Sequence, residues 1–371
     1  MTPMKPRLIA IVPDPEGAFA QAGGVLSAAR AVLGPEIREA FDVRIVDTTM
    51  RAFPPPDLPE RLVSGAQRAA TAVRIIATHR PHVALAFAGD RTSFYEKASL
   101  LLLAKAAGAR AYLSPRSGRS KDWLAQSAAA RRSVAFVGQR IDGFLVQSEG
   151  WRGIFADAGV PADRLHVWHN AVSTDAWTPV AAARKPWAPG RPFRFLFVGW
   201  AIASKGLREL VSAAGRLAAR PGPPFQLAIA GDGAVGAELR ARKARGELPA
   251  EVELLGWVKD EARVQAFADA DALVLPTWID GFPNVILEAM ACALPVIATP
   301  VGAIPDVVVP GETGLIVPPR DEDRLLEAMD ELRQKPERAA AMGQRGLARA
   351  RDRFDRSLAV SKLLAILSSE L

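Results

Sequence analysis

The 371-residue chain has a single cysteine, Cys292, so it can form no internal disulfide and no zinc site built on cysteine clusters. Its four histidines, His79, His82, His166 and His169, show no His-Glu-x-x-His spacing, so no histidine-rich metal centre is expected, which leaves only a carboxylate site open. Long apolar runs are missing as well. The stretch 98–104 falls far short of the ~20 residues a membrane-spanning helix needs. The apolar stretch 285–310 is interrupted by Glu288, Asp306 and four prolines. Near the start only Leu8–Val12 is continuously apolar, too short for a signal peptide and better suited to a first buried strand. The expected location is the cytoplasm.

The charge that is present is unevenly placed. Residues 1–170 hold 22 Lys/Arg against 15 Asp/Glu, whereas residues 171–371 hold 25 of each. The whole net charge of +7 therefore sits in the first part. Residues 97–132 concentrate it: Lys97, Lys105, Arg110, Arg116, Arg119, Lys121, Arg131 and Arg132 stand against Asp122 alone. Such a stretch is either a solvated basic face or a surface for an acidic partner, an anionic membrane among them. Nucleic acid is not expected, because no stacking aromatics interleave the cations and no nucleic-acid module is present.

Short β-branched runs alternate with longer Ala/Leu/Arg runs at helical spacing. Leu8–Val12, Val43–Asp47, Val83–Ala88, Ala111–Leu113 and Phe144–Gln147 are expected strands, separated by helices such as Gly24–Leu33, Pro59–His79 and Phe94–Ala107. A stretch with four prolines, 179–192, lacks periodicity and is expected to be a linker. The alternation then restarts, with strands at Phe195–Val198, Gln226–Ala230, Glu253–Leu255, Ala272–Leu275, Pro295–Ala298 and Gly314–Val317. The pattern implies an α/β protein with two parallel sheets. The expected domains are 1–178, 193–356 and a C-terminal amphipathic helix, 357–371, packing back on the first domain. In such folds ligands sit at the carboxyl ends of the strands, so the loops after strands are where chemistry is expected.

The first such loop ends in Gly23-Gly24, which either opens backbone N–H groups to an anion or is a flexible loop with a glycine cap. Gly199 ends a strand, and Lys205 opens the next helix, where the helix dipole does not favour a cation. Lys205 either reaches a diphosphate or is a surface lysine. Gly231-Asp232-Gly233 follows another strand. The richest stretch is Leu275–Ala291, with Asp280 in a loop, Pro283 at a helix start and Glu288 one to two turns inside. Val285, Leu287, Ala289 and Ala291 surround Glu288 with apolar or small residues, so a buried carboxylate in need of partners is expected. Sugar and ribose hydroxyls are suitable partners. The alternative is a capping Asp280 and a structurally paired Glu288. Gly311–Val317 is expected as a hairpin-like turn and strand.

Taken together, Phe197-Val198-Gly199, Lys205-Gly206, Gly231-Asp232-Gly233, Leu255-Gly256-Trp257-Val258, the 280–288 segment, Pro295–Thr299 with Val301-Gly302, and Gly311–Val317 resemble the C-terminal domain of retaining GT-B glycosyltransferases of family 4. Gly23-Gly24-Val25, Val146-Gln147-Ser148 and Val167–Val172 resemble that family's first domain more loosely. The resemblance implies two Rossmann-like domains facing across a cleft that holds a nucleoside-diphosphate sugar. It implies transfer with retention to a glycan or lipid-linked acceptor, without metal or cofactor.

Residue by residue, the resemblance implies that Asp280 holds the donor sugar, Glu288 the ribose and Lys205 the diphosphate. Gly281, Phe282 and Pro283 line the sugar, Asn284 and Val285 face the diphosphate, and Trp257-Val258 lie near the base. Gly23, Gly24, Gly199 and Gly231 complete the donor-binding set. The sequence departs from the family at several places. Asp280 replaces a glutamate, Trp200 stands where a diphosphate arginine is usual, and Leu113–Gly118 replaces a histidine motif. This leaves Ser114 and Arg116 as acceptor-side candidates. Ala293 and Ala303 replace glycines, changes expected to be mild. The implied role is in surface polysaccharide or glycolipid assembly at the inner membrane face. The alternatives are a GT-B-like epimerase or phosphorylase, or a non-catalytic nucleotide-sugar-binding protein.

Overall fold

In the computed structural model, residues 5–16, 24–49, 57–184 and 187–369 are described, and Gly23 lies outside them. The chain divides into two compact units, Met1–Ala171 with Arg356–Leu371, and Val172–Asp355.

The first unit holds β1 (Arg7–Val12), β2 (Asp42–Asp47), β3 (Val83–Ala88), β4 (Arg110–Pro115), β5 (Gly143–Val146) and β6 (Leu165–Val167). All pair in parallel, in the order β2-β1-β3-β4-β5-β6. Every residue of β3 is buried, as expected for an interior parallel strand covered on both faces. Strand β6 was not anticipated, since its three residues are too few to show a period. The helices Ser120–Gln126, Ala128–Gly138 and Glu149–Asp157 are further additions to the expected pattern.

The last helix, Arg356–Ser368, belongs to this unit. Val360, Leu363 and Leu367 enter one core with Ala29, Val32 and Ile37 from helices Gly24–Val32 and Pro35–Ala40. Each fully buried leucine contributes roughly 1.5–3 kcal/mol. Trp168 Nε1 donates to the Ala359 carbonyl at 3.0 Å, and Tyr112 Oη donates to the Ile366 carbonyl at 3.2 Å. Arg356 grips Glu36 through two bonds of 2.6 and 2.7 Å.

The second unit holds β7 (Phe193–Val198), β8 (Phe225–Ala230), β9 (Val252–Gly256), β10 (Ala272–Leu275), β11 (Val296–Ala298) and β12 (Gly314–Ile316), in the order β12-β11-β10-β7-β8-β9. The hairpin-like turn expected from Gly311 forms at 311–313, where the Gly311 N–H donates to the Gly314 carbonyl at 2.8 Å. The strand after it, β12, pairs in parallel with β11, Val296 opposite Gly314 and Ala298 opposite Ile316. Residues 299–313 cross over between them and carry the short helix Ile304–Val307.

The unit boundary falls at 171/172, and helix Thr174–Ala183 runs through position 178 with Pro179 inside it. The proline-rich stretch beyond is anchored to the second unit by arginines. Arg184 donates to the carbonyls of Ala270, Cys292 and Ala293, and Arg191 grips Asp271 at 2.6 and 2.9 Å. Composition alone could not show these tertiary anchors.

Strand order reverses once in each sheet, between β1 and β3 and between β7 and β10. Such a switch point leaves a crevice beyond the carboxyl ends of the two strands. In the second unit the loops flanking that crevice are those carrying Lys205 and Asp280.

Candidate functional site

After β7 the chain runs through Gly199 and Trp200 into a single 3₁₀ turn, Ala203–Lys205, before helix Leu207–Ala218. Lys205 thus sits just ahead of the helix, separated from it by Gly206. After β10 a loop leads to helix Asn284–Ala291, with Pro283 at its N-cap. The two loops are tied together. Trp278 N–H and Thr277 Oγ1 donate to the Ser204 carbonyl at 2.8 and 3.1 Å. Lys205 Nζ donates to Asp280 Oδ2 at 2.6 Å, both side chains being mostly buried. Asp280 therefore does not cap the helix. One of the three ammonium donors is used, and two remain for an anion.

Close backbone packing fixes these loops. A Cβ at Gly302, where φ is +58°, would lie 2.2 Å from the Asp280 carbonyl oxygen. A Cβ at Gly231 would lie 1.9 Å from the Gly199 carbonyl oxygen. The glycines at these positions let the loops after β7, β8, β10 and β11 approach one another. Ala293 is a different matter. Its φ is +55°, a left-handed conformation that costs an L-residue about 1–2 kcal/mol, so the alanine here is a strained substitution and not a mild one. Ala303, at φ −90°, carries no such strain.

Glu288 lies on the 284–291 helix among buried Ile286, Leu287, Ala289, Met290 and Ala291. Burial pushes its carboxyl group up, and Arg263 pulls it part of the way back. Arg263 Nη2 donates to Glu288 Oε2. Arg263 sits on helix Asp260–Asp269, directly after the 257–259 loop that follows β9. It was not among the expected site residues. As the one cation of a helix with three acids it carries no sequence signal that singles it out; in the structure its guanidinium lies 5.5 Å over the ring of Phe267, four residues on. Trp257 and Trp200 pack together, ring centroids 4.8 Å apart, so the residue at the usual arginine position supports the loop after β9.

The structure thus places Lys205 with Asp280, Glu288 with Arg263, and Trp200 with Trp257, all beyond the carboxyl edge of the second unit's sheet. Gly281, Phe282, Pro283, Asn284 and Val285 connect Asp280 to Glu288 along the loop and the first turn of the helix. Val258 follows Trp257 in its loop. In the first unit, Gly24 opens helix Gly24–Val32.

The other first-unit candidates are enclosed. Ser114 Oγ donates to the Leu145 carbonyl at 2.7 Å and is fully buried. Arg116 is 8% exposed, its guanidinium between the rings of Phe87 and Trp168 at 4.5 and 4.6 Å. Its Nη1 donates to Asn170 Oδ1, while Nε and Nη2 have no hydrogen-bond partner. Burial without a counter-ion pushes its pKa down to about 9.

The basic stretch 97–132 is likewise no uniform face. Lys97 is buried and bonded to Glu96, Lys105 is paired with Asp142 at 2.7 Å, and Arg116 is enclosed. Arg119, Lys121, Arg131 and Arg132 are exposed. Of these, Arg132 lines a groove with Tyr95, Leu102, Phe136 and Val137, where Tyr95 and Phe136 are exposed. Among the described residues no helix is long and apolar enough to cross a membrane, and no group of three or more metal-ligating side chains occurs.

Residues 192–335 match the family described as glycosyl transferases group 1. The chain is 30% identical over 267 residues to the GDP-mannose-dependent alpha-(1-6)-phosphatidylinositol monomannoside mannosyltransferase of Mycobacterium tuberculosis, spanning 68% of this chain and 69% of that protein. It is 29% identical over 299 residues to the GDP-mannose-dependent monoacylated alpha-(1-6)-phosphatidylinositol monomannoside mannosyltransferase of Corynebacterium glutamicum, 76% of this chain and 77% of that one. A solved structure of the Anabaena protein HepE in complex with UDP and glucose matches with a TM-score of 0.72, covering 98% of this chain and 99% of that one at 18% identity.

Proposed function

The chain belongs to the group 1 glycosyltransferases and has the GT-B fold, and on that premise we propose that it transfers a sugar from a nucleoside diphosphate to a hydroxyl group with retention at the anomeric carbon. The observation that carries this reading is the row of groups beyond the carboxyl edge of the second unit's sheet. Trp257 lies in one loop, Glu288 and Arg263 face each other, and Lys205 meets Asp280 at 2.6 Å. In that order they offer a surface for the base, acceptors for ribose hydroxyls, a cation for the diphosphate and a carboxylate for the sugar. Gly281, Phe282 and Pro283 run beside the sugar, and Asn284 and Val285 stand at the helix N-terminus, which favours the diphosphate charge.

The chemistry follows from where charge develops. As the anomeric carbon–oxygen bond to the diphosphate breaks, its electrons pass to the phosphate oxygen. Lys205 and the start of the 284–291 helix offer a cation and backbone N–H groups for that charge. The acceptor oxygen attacks on the same face, and its proton passes to the departing phosphate oxygen. No metal or cofactor takes part in this scheme, and no side-chain nucleophile is required.

The two mannosyltransferases named above act on phosphatidylinositol mannosides. A lipid-linked acceptor at an anionic membrane surface is the matching proposal for this chain. Exposed Arg119, Lys121, Arg131 and Arg132, the last sharing a groove with exposed Tyr95 and Phe136, support peripheral attachment there. Arg116, enclosed between two rings, takes no part in that attachment.

Calorimetric titration of the purified protein and of Glu288→Ala with UDP, GDP, ADP and dTDP tests the donor site. One nucleotide is expected to bind selectively to the wild type and to lose its affinity in the variant. Absence of binding at millimolar concentration overturns the reading in favour of a non-catalytic protein.

A further inference from the structure

Arg263 and Glu288 form a pair whose geometry leaves work for a ligand. Arg263 bonds to one carboxylate oxygen of Glu288, Oε2, through Nη2. Among the described residues the other oxygen, Oε1, accepts no hydrogen bond, and Nε and Nη1 of Arg263 donate none. Both side chains retain partial exposure, 27% for Arg263 and 19% for Glu288. The pair therefore presents an acceptor oxygen and N–H donors side by side, open to solvent. A vicinal diol, with one hydroxyl donating and its neighbour accepting, is the complement of that arrangement.

We propose that Arg263 is a nucleotide-contact and positioning residue: it holds the Glu288 carboxylate by Oε2, so that Oε1 accepts from one ribose hydroxyl while the guanidinium donates to the next. The proposal rests on the donor-site reading of Glu288 given above. Two further features agree with it. Arg263 is oriented by Phe267, whose ring is itself packed edge-on against Trp177 at 5.0 Å, so the guanidinium sits on a fixed support. Glu288 is also a carboxyl group that burial makes harder to ionise, and Arg263 is the cation that opposes this. The other titratable neighbour, Cys292, lies one turn on, at the C-cap of the same helix, its thiol pushed up to about 12 and thus neutral. Arg184 faces the carbonyls of Ala270, Cys292 and Ala293. Helices Thr174–Ala183 and Pro336–Phe354 pack on the same helix. On the latter, Arg349 is turned to the carbonyls of Asp306 and Val307.

Two consequences separate this role from a merely structural one. Removing the guanidinium removes the donor that senses one ribose hydroxyl, so discrimination between ribo- and 2′-deoxyribonucleotide collapses. Removing its charge also moves the loss of nucleotide affinity on acidification to higher pH, because Glu288 then protonates more readily.

The experiment uses the nucleotide that binds the wild type among UDP, GDP, ADP and dTDP, in its ribo and 2′-deoxy forms. Both are titrated calorimetrically into wild type, R263M, R263K and E288Q from pH 5 to pH 9. Expected for R263M are a tenfold or greater loss for the ribonucleotide, little change for the deoxynucleotide, and an acid limb displaced upward. R263K keeps the acid limb of the wild type but loses the sugar discrimination. If both Arg263 variants keep the wild-type discrimination and acid limb while E288Q loses binding, the proposal is overturned and the donor site stands. If E288Q also binds like wild type, the assignment of Glu288 itself falls.

Discussion

The two units are built alike and treat their charges in opposite ways. Each is a six-stranded parallel sheet with one reversal of strand order. Beyond the carboxyl ends of the second sheet, each site cation has a carboxylate partner and each pair keeps some exposure: Lys205 with Asp280, Arg263 with Glu288. Beyond β4 of the first sheet, Arg116 has an amide and two aromatic rings for company and no carboxylate. A paired cation that keeps some exposure can meet a ligand with the donors its partner leaves free. An enclosed, unpaired one holds its charge against the protein's own stability, because the desolvation of a guanidinium is only partly offset by ring faces.

The sharpest break of that comparison is Lys205→Met. It should weaken nucleoside diphosphate binding ten- to a hundredfold, since a charge-assisted hydrogen bond contributes ~1.5–3 kcal/mol. A titration of wild type and variant with the same nucleotide measures it. In the other unit the matching change, Arg116→Met, should raise stability at pH 7 by on the order of 1–4 kcal/mol. The sign of its pH dependence follows from the lowered pKa. Above about 9 the folded state sheds the proton that the unfolded state keeps, so wild-type stability rises with pH there and the advantage of Arg116→Met shrinks. Denaturant unfolding at pH 7 and pH 10 checks both parts, and a variant less stable than wild type at pH 7 would sink the contrast.

Smaller effects sharpen it. Ala293→Gly relieves a left-handed alanine in the second unit and should gain about 0.5–1 kcal/mol, the strain removed less the added entropy of the unfolded chain. That is a rise of roughly 1–4 °C in the melting of a domain this size. Smallest is Glu36→Gln in the first unit. Arg356 holds the Glu36 carboxyl down at about 2, so the pair stabilises above the ordinary carboxylate range and is lost as pH falls toward 2. Being solvent-exposed, it is worth at most ~1 kcal/mol, and the difference between variant and wild type should shrink as pH falls through that value and vanish only below it.

Strand positions in both sheets were legible because buried parallel strands are short continuous apolar runs, and Val83–Ala88 and Ala272–Leu275 match residue for residue. Strand β6, with three residues, was below what periodicity can register. The helix around Pro179 was hidden by the proline itself, whose ordinary role is to break helices. At the site, the burial of Glu288 was legible because a carboxylate among apolar and small helix residues is anomalous in any sequence, whereas Asp280, in a loop, stood out only through the family resemblance. Arg263 was not legible, because an arginine on a charged helix is ordinary until its partner, 25 residues on, is known. Arg116 shows the converse. Counting it with a basic stretch treated it as surface, and only the rings of Phe87 and Trp168 reveal that it is interior.

The return of the 356–368 helix to the first unit bears on how the protein is made. The bond from Arg356 to Glu36 joins residues 320 apart, and the whole second unit is synthesised between them. On a ribosome, residues 172–355 emerge and can close their core while the first unit still waits for Val360, Leu363 and Leu367. The unit that begins first is therefore completed last. Until then the part of that core which Val360, Leu363 and Leu367 fill stays open, and transiently exposed apolar surface of this kind is what makes a folding chain prone to aggregate.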